Sequence, residues 1–390
     1  MNLPGYQKVF LQKVANYMAQ VSLSFPVRAL YGVELFGNLG KIAREIGTRT
    51  LLVTESAMHT ESYLNQALES LKAAGVNSIV FDDIPPAVTS LAVNDVAELV
   101  RASKPHTVIS LGGTRVLAVA RLAAFEGRVK NSPGVTNPVC IEVPTSCRNH
   151  SLFRDEGIIT LAETSMTDIR PIPPDLVHTV LIDPTLTYSL SSRYFAVALL
   201  DTLLASIEGY MSDTANFFSD TCLERAIALL GEALAALLRN PEDLQSRNKA
   251  AEAGFLSALG LGTASQGIGG ALSLVINSKK KVPKSWVSSV LLPHILELYM
   301  KDHPAKLARI SELLGEDVQG IHPEIVTRKA PAAARRILGA LKLPSRLRDL
   351  NLSLGDLGEV STLSLRLPYS KTLPFRLNEE EVYDLVKKAF

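Results

Sequence analysis

Asp201 lies in "LLDTLLASIEGY" (199–210), where nearly every neighbour is apolar. A carboxylate buried in such a helix is costly unless something pairs with it, so Asp201 predicts a partner elsewhere in the chain. A second candidate is "VISLGGTRVLAVAR" (108–121), which reads as a strand, a turn at Gly112 and Gly113, and a helix start. Backbone N–H groups at such a turn face a phosphate, and the helix N-terminus adds partial positive charge. The same two glycines can also simply make the turn, so this segment leaves both readings open. Glu55, just after the strand "LLVT", has the place of the acid that accepts a ribose diol in dinucleotide folds; its other reading is an exposed acid at a helix entry.

These residues need elements to hold them. Between about residues 27 and 187 short β-branched runs alternate with helical stretches. "TLLVTES" (50–56), "NSIVFDDI" (77–84) and "HTVISLGG" (106–113) read as strands; "TESYLNQALESLKAAG" (60–75), "TSLAVNDVAELVRAS" (89–103) and "RVLAVARLAAF" (115–125) read as helices. Strands alternating with helices predict a parallel sheet covered on both faces. After "VLIDPTL" (180–186) long helical periodicities take over, as in "SSRYFAVALLDTLLASIEGYM" and "DTCLERAIALLGEALAALLRN". The expected organisation is an α/β Rossmann-like domain over 1–187 followed by an all-α domain over 188–390. The basic run "SKKKVPKS" (278–285) reads as a loop because Pro283 interrupts it.

The 390 residues are enough for two domains with buried cores. With 40 basic and 39 acidic side chains, the net charge of +1 gives no general attraction for nucleic acid or anionic membrane. Cys140, Cys147 and Cys222 are too few for a disulfide framework or a thiolate metal site and read as inert small apolar residues. No apolar run approaches the roughly 20 residues that span a bilayer, and "MNLPGYQKVFLQKVANYMAQ" lacks the layout of a signal peptide. The expected compartment is a reducing cytoplasm.

Taken in order, "YGVELFGNLGKIAREIGTRTLLVTES", "VISLGGTRVLAVAR", "VPTSC", "VLIDPTLTYSLSSRYFAVALLDTLLASIEGYMS", "VLLPHILELY" and "TLPFRLNEEEVYDLVKKAF" resemble the iron-containing, or group III, alcohol dehydrogenases, relatives of the dehydroquinate synthases. The resemblance covers nearly the whole chain. It implies NAD or NADP and a divalent metal in a cleft between the two domains, a small-molecule substrate, and self-association as a dimer or larger. It assigns cofactor contacts to Glu55, Gly112, Gly113, Thr114, Arg115, Thr145 and Ser146.

The family holds its metal with one aspartate and three histidines, two of them at i and i+4 on one helix face. Asp201 matches the aspartate, but the histidine positions fall on Ala205, Gln266 and Lys284, the last across a 267–283 interval longer than the family's. Alanine has no donor atom, an amide carbonyl is a weak ligand and an ammonium repels a cation, so no iron or zinc is expected at the usual site. The glycine loop also departs, with Thr114 and Arg115 in place of a glycine and a serine. "CRNHS" puts Arg148 and His150 where a nicotinamide needs room. The family's hairpin lysine falls on Thr167, with Arg170 as a substitute.

Three readings follow. In the first, the chain is a divergent member that no longer performs metal-dependent alcohol oxidation and binds a dinucleotide or another anion near Arg148, His150 and Lys284. In the second, it keeps NAD(P)-linked alcohol or aldehyde chemistry, with the Lys284 ammonium paired to Asp201 where the metal stood. In the third, a non-standard metal site draws on Asp201, His150 and Glu208, although Glu208 lies two helical turns, about 10 Å, from Asp201.

Overall fold

The computed structural model describes residues 21, 23–56, 62–84, 89–128 and 137–390. The signal-peptide reading of residues 1–20 and the expected helix start at 60–61 fall outside them. Six parallel strands form the sheet: β1 (Arg28–Tyr31), β2 (Arg49–Val53), β3 (Asn77–Phe81), β4 (Thr107–Gly112), β5 (Val139–Pro144) and β8 (Val177–Ile182), in the order β1-β8-β5-β4-β2-β3. Helices α1 (Leu39–Ile46), α2 (Tyr63–Ala73), α3 (Ser90–Ser103) and α4 (Thr114–Glu126) connect them. Every residue of β4 is buried, including Thr107 and Ser110, as expected for a central strand in a sheet covered on both faces. An antiparallel hairpin, β6 (Glu156–Thr160) with β7 (Thr167–Pro171), stands outside this sheet, and strand-and-helix periodicity did not anticipate it.

The strand order places the crevice. The chain steps outward from β2 to β3 and returns to β4 on the other side of β2, so connections leave β2 and β4 in opposite directions. Open α/β sheets bind ligands at the carboxyl ends of such strands. Here those ends carry Glu55 and the Gly112–Gly113 turn.

Beyond β8 the described residues form helices: α5 (Ser192–Met211), α6 (Phe217–Arg239), α7 (Leu244–Leu261), α8 (Ile268–Lys280) and α9 (Lys284–Leu298) build the core, with α10 (Pro304–Leu313) to α14 (Glu379–Lys388) outside them. Local signals set the starts: the Ser191 side chain accepts from Tyr194 N, Asn216 forms a capping box with Ser219, and Asp243 accepts from two amides. Helix α5 is long and apolar enough to cross a membrane, but 94% of that window is buried inside the protein, as befits a central core helix.

The basic run is not the loop expected from Pro283. Helix α8 continues through Lys280, and α9 begins at Lys284 with Pro283 as its N-cap. Proline is tolerated at a helix start because no intrahelical N–H bond is needed there. Lys279 and Lys280 pair with Glu359 and Asp356, and Lys284 turns inward.

Gly254 of α7 fixes how closely the loop after β5 approaches the helices. A Cβ there would lie 2.4 Å from the Cys147 carbonyl oxygen and 2.9 Å from its Cα. Gly254→Ala is therefore expected to cost about 1–3 kcal/mol as the loop is pushed away, read as a lower midpoint in thermal or denaturant unfolding.

Candidate active site

The turn after β4 needs its first glycine. Gly112 has φ +157°, and a Cβ there would meet the Val116 Cγ2 at 2.7 Å. Gly113 caps α4 without a side-chain bond, leaving the first amides of that helix to the crevice. The Gly113 N–H approaches Glu55 Oε1 at 3.5 Å, and Arg115 pairs with the same carboxylate. The Thr145 amide donates to the Gly112 carbonyl at 3.1 Å, binding the two loops together. Glu55, Gly113, Thr114, Arg115 and Thr145 all line one cleft of about 640 Å³. Gly112 shapes the turn behind it. Ser146 is buried, and its Oγ accepts from Arg148 N at 3.4 Å. Thr167 lines the cleft while bonding the Leu274 carbonyl and Ser278; the Arg170 guanidinium is taken by Glu126 and Asp168.

The far side of the cleft centres on Asp201, which is 0% exposed. Lys284 Nζ donates to Oδ1 at 2.7 Å, Arg148 Nε donates to Oδ2 at 2.7 Å, and His150 Nε2 lies 3.2 Å from Oδ2. The predicted partner of the buried acid is thus Lys284, joined by Arg148 and His150, for which the sequence suggested an anion site and, for His150, a place beside Asp201 in a metal set, but no ion pair of Arg148 with Asp201. A signal for Arg148 was present: a cation two residues beyond "VPTS", at the carboxyl end of a buried strand, points toward the same crevice. Lys284 is the first residue of α9, where the helix dipole disfavours a cation, so its position relies on the carboxylate.

Burial alone would push the Asp201 carboxyl up; Lys284, then Arg148, then His150 outweigh it and hold the carboxyl well below the usual range. Burial pushes His150 down more than Asp201 pulls it up, so the ring is neutral at neutral pH. Because ionised Asp201 only accepts, the ring hydrogen belongs on Nε2, and Nδ1 presents a lone pair. That Nδ1 has no partner among the described residues.

Ala205, one turn after Asp201, is buried and offers no donor atom. Gln266 lines the cleft with its Oε1 unpartnered among the described residues. Glu208 makes no hydrogen bond to Asp201's partners, although the Lys284 charge acts on it: its oxygens accept the Gly269 and Gly270 amides at 2.6 and 2.9 Å, at the start of α8. Burial raises its pKa, and those amides oppose the rise. All three cysteines are free and buried, and burial pushes the Cys147 thiol up to about 11, in keeping with inert packing roles.

The lowered His150 pKa has a definite sign. Below the unfolded value of about 6.5 the unfolded chain takes up a proton that the folded ring refuses, so stability present above that pH is lost as the pH falls through it. His106 and His294 are lowered too and act in the same direction. Thermal midpoints are expected to fall between about pH 7 and pH 5, and His150→Asn to flatten part of that slope.

Two family profiles match this chain: "Iron-containing alcohol dehydrogenase" over residues 26–184 and "Fe-containing alcohol dehydrogenase family, C-terminal" over residues 195–390. It is 25% identical to the 1,3-propanediol dehydrogenase of Klebsiella pneumoniae over 355 residues, 88% of this chain and 92% of the relative. It is 23% identical to the choline dehydrogenase of Bacillus subtilis (strain 168), covering 97% of each. A crystal structure of a 1,3-propanediol oxidoreductase superposes with a TM-score of 0.89 at 23% identity, covering 95% of this chain and all of that one. The sulfoacetaldehyde reductase of Bifidobacterium kashiwanohense, solved with NAD+, superposes at 0.82 with 18% identity, covering 95% and 98%. With both segments matched in order and the parallel sheet and helical core in place, the chain belongs to the iron-containing alcohol dehydrogenase family.

Proposed function

We propose that this chain is a nicotinamide-dinucleotide-linked alcohol or aldehyde oxidoreductase that works without a resident metal ion. The observation that carries the reading is the Lys284 ammonium 2.7 Å from Asp201, on a residue that lines the same cleft as the glycine turn. Iron or zinc does not fit these residues. Ala205 offers no atom, Gln266 a weak one, and Lys284 sets a cation on the only carboxylate of the set. Glu208 is committed to backbone amides, so it does not complete a set with His150. A dinucleotide fits the cleft: the helix start after Gly113 suits a pyrophosphate, Glu55 a ribose once it exchanges its bonds to Gly113 and Arg115, and about 640 Å³ stays open although Arg148 and His150 stand on the wall.

When bound, the dinucleotide supplies the hydride acceptor or donor. The protein's share is acid, base and charge. Lys284 holds the substrate oxygen and stabilises negative charge as it develops there. His150 Nδ1, whose tautomer Asp201 sets, takes the hydroxyl proton in the oxidising direction and returns it in the reducing one. The names of the relatives support alcohols and aldehydes as substrates, and the NAD+-bound neighbour supports the cofactor class. The proposal includes a homodimer and a cytoplasmic setting, with the cleft between a nucleotide domain over 1–187 and a helical domain over 188–390.

Activity should survive chelator dialysis with no stoichiometric metal in the protein. Lys284→Met should lower kcat/KM by about 100- to 1,000-fold, and His150→Gln by about 100-fold or more, with dinucleotide binding by thermal shift retained in both. Unchanged aldehyde reduction in Lys284→Met removes the electrophile. Dinucleotide binding without turnover of any alcohol or aldehyde favours the non-catalytic binder instead.

A further inference from the structure

Most of the charged side chains that line the cleft are paired, with Lys281 left at its exposed rim. Arg121 is paired with Glu142, Glu156 with Arg154, and Glu55 with Arg115. Arg148 and Lys284, with side chains only 10% and 11% exposed, share the single carboxylate of Asp201. Glu208, the next carboxylate on α5, is held by the amides at the start of α8. His150 brings no further charge, because burial keeps it neutral. The Lys284 charge also acts on Glu208, so Arg148 is the cation left with Asp201 alone as an ion-pair partner among the described residues, and it shares that carboxylate while nearly shut off from solvent.

The same wall carries orphaned polar atoms. Gln266 Oε1, Ser285 Oγ and His150 Nδ1 have no partner among the described residues, and these residues are 4%, 1% and 6% exposed. All three line the cleft with Arg148 and Lys284. Buried polar groups are normally satisfied, so three orphans just behind one cavity wall make the surroundings of Arg148 and Lys284 unusually polar. Tyr194, which lines the cleft and whose hydroxyl lies beside Gly113, extends the polar wall toward that turn.

We propose that the substrate is a short hydroxy acid or its oxo acid, with its carboxylate on Arg148 and its hydroxyl or carbonyl oxygen between Lys284 and His150. This rests on the oxidoreductase reading above and names its substrate class. The two cations each hold one oxygen of the Asp201 carboxylate at 2.7 Å, so they lie close enough to meet two oxygens of one small ligand. A guanidinium suits a carboxylate's planar geometry, whereas a lysine ammonium acts as a point charge on one oxygen. In the oxidising direction the carbinol C–H bond breaks with its electron pair passing as hydride to the oxidised nicotinamide. The O–H proton passes to His150 Nδ1, and the C=O bond forms.

Isosteric pairs test this: lactate against 1,2-propanediol and 3-hydroxybutyrate against 1,3-butanediol, each assayed with NAD+ and NADP+ and titrated by calorimetry against the dinucleotide-loaded enzyme. The expected result is a preference for the acid of about 10- to 100-fold in kcat/KM and in affinity, the scale of one charge-assisted contact. Arg148→Gln should raise KM for the acid and collapse the preference, and Arg148→Lys should restore part of it. Equal handling of acid and neutral partner by the wild-type enzyme overturns the proposal without any variant. If no compound turns over, the oxidoreductase reading fails separately. Calorimetry then still decides this one: selective binding of the acids supports it, and indifferent or absent binding overturns it.

Discussion

The carboxylate of Asp201 ties together three segments far apart in the chain: helix α5, the loop after β5 and the first residue of α9. Its burial would be prohibitive alone, and the two cations would be equally costly without it. Each member is therefore the condition for the others. In the family's usual arrangement one divalent ion meets the aspartate. Here the Lys284 ammonium and the Arg148 guanidinium meet it, each at 2.7 Å.

That substitution has consequences for what the site can do. A metal ion with an open coordination position acts as a Lewis acid on the substrate oxygen. An ammonium stabilises developing charge through a hydrogen bond and cannot withdraw electrons from the oxygen to the same degree. Under the proposed function proton handling then falls to His150, whose Nε2 is held by Asp201 while its buried Nδ1 has no partner among the described residues. The side-chain oxygen of Gln266 has no partner among the described residues, while its backbone carbonyl accepts from Thr372 at 3.0 Å.

The sequence made some of this legible. Alternating strands and helices identified the parallel sheet, and an acid among apolar neighbours identified Asp201 as a residue in need of a cation. Lys284 could be placed only through the family's register, because a lysine next to "SKKK" otherwise reads as solvated. Its burial depends on Pro283 starting a helix rather than interrupting one. The strand order, and with it the switch point between β2 and β4, was hidden because pairing between distant strands leaves no local pattern. The Arg121–Glu142 pair was missed although both members had a signal: a cation within "RVLAVARLAAF" and an acid within the buried strand "VCIEVP".

That second buried pair explains why the reactive loop holds its shape. Arg121 grips Glu142 through two bonds of 2.7 and 2.6 Å, and its remaining N–H groups donate to the carbonyls of Ser151, Arg154 and Glu156. Arg154 in turn donates to the carbonyls of Leu261 and Ala264 at 2.7 and 2.8 Å, reaching the end of α7 and the approach to Gln266. Arg148 and His150 thus project from a segment anchored at the sheet by Arg121 and at the helical core by Arg154. A loop held only by Asp201 would let both side chains drift whenever a competing anion entered the cleft. With its backbone fixed by these carbonyl bonds, the loop can present Arg148 and His150 to a ligand and keep the Asp201 contacts, which is the preorganisation a charge-stabilising site requires.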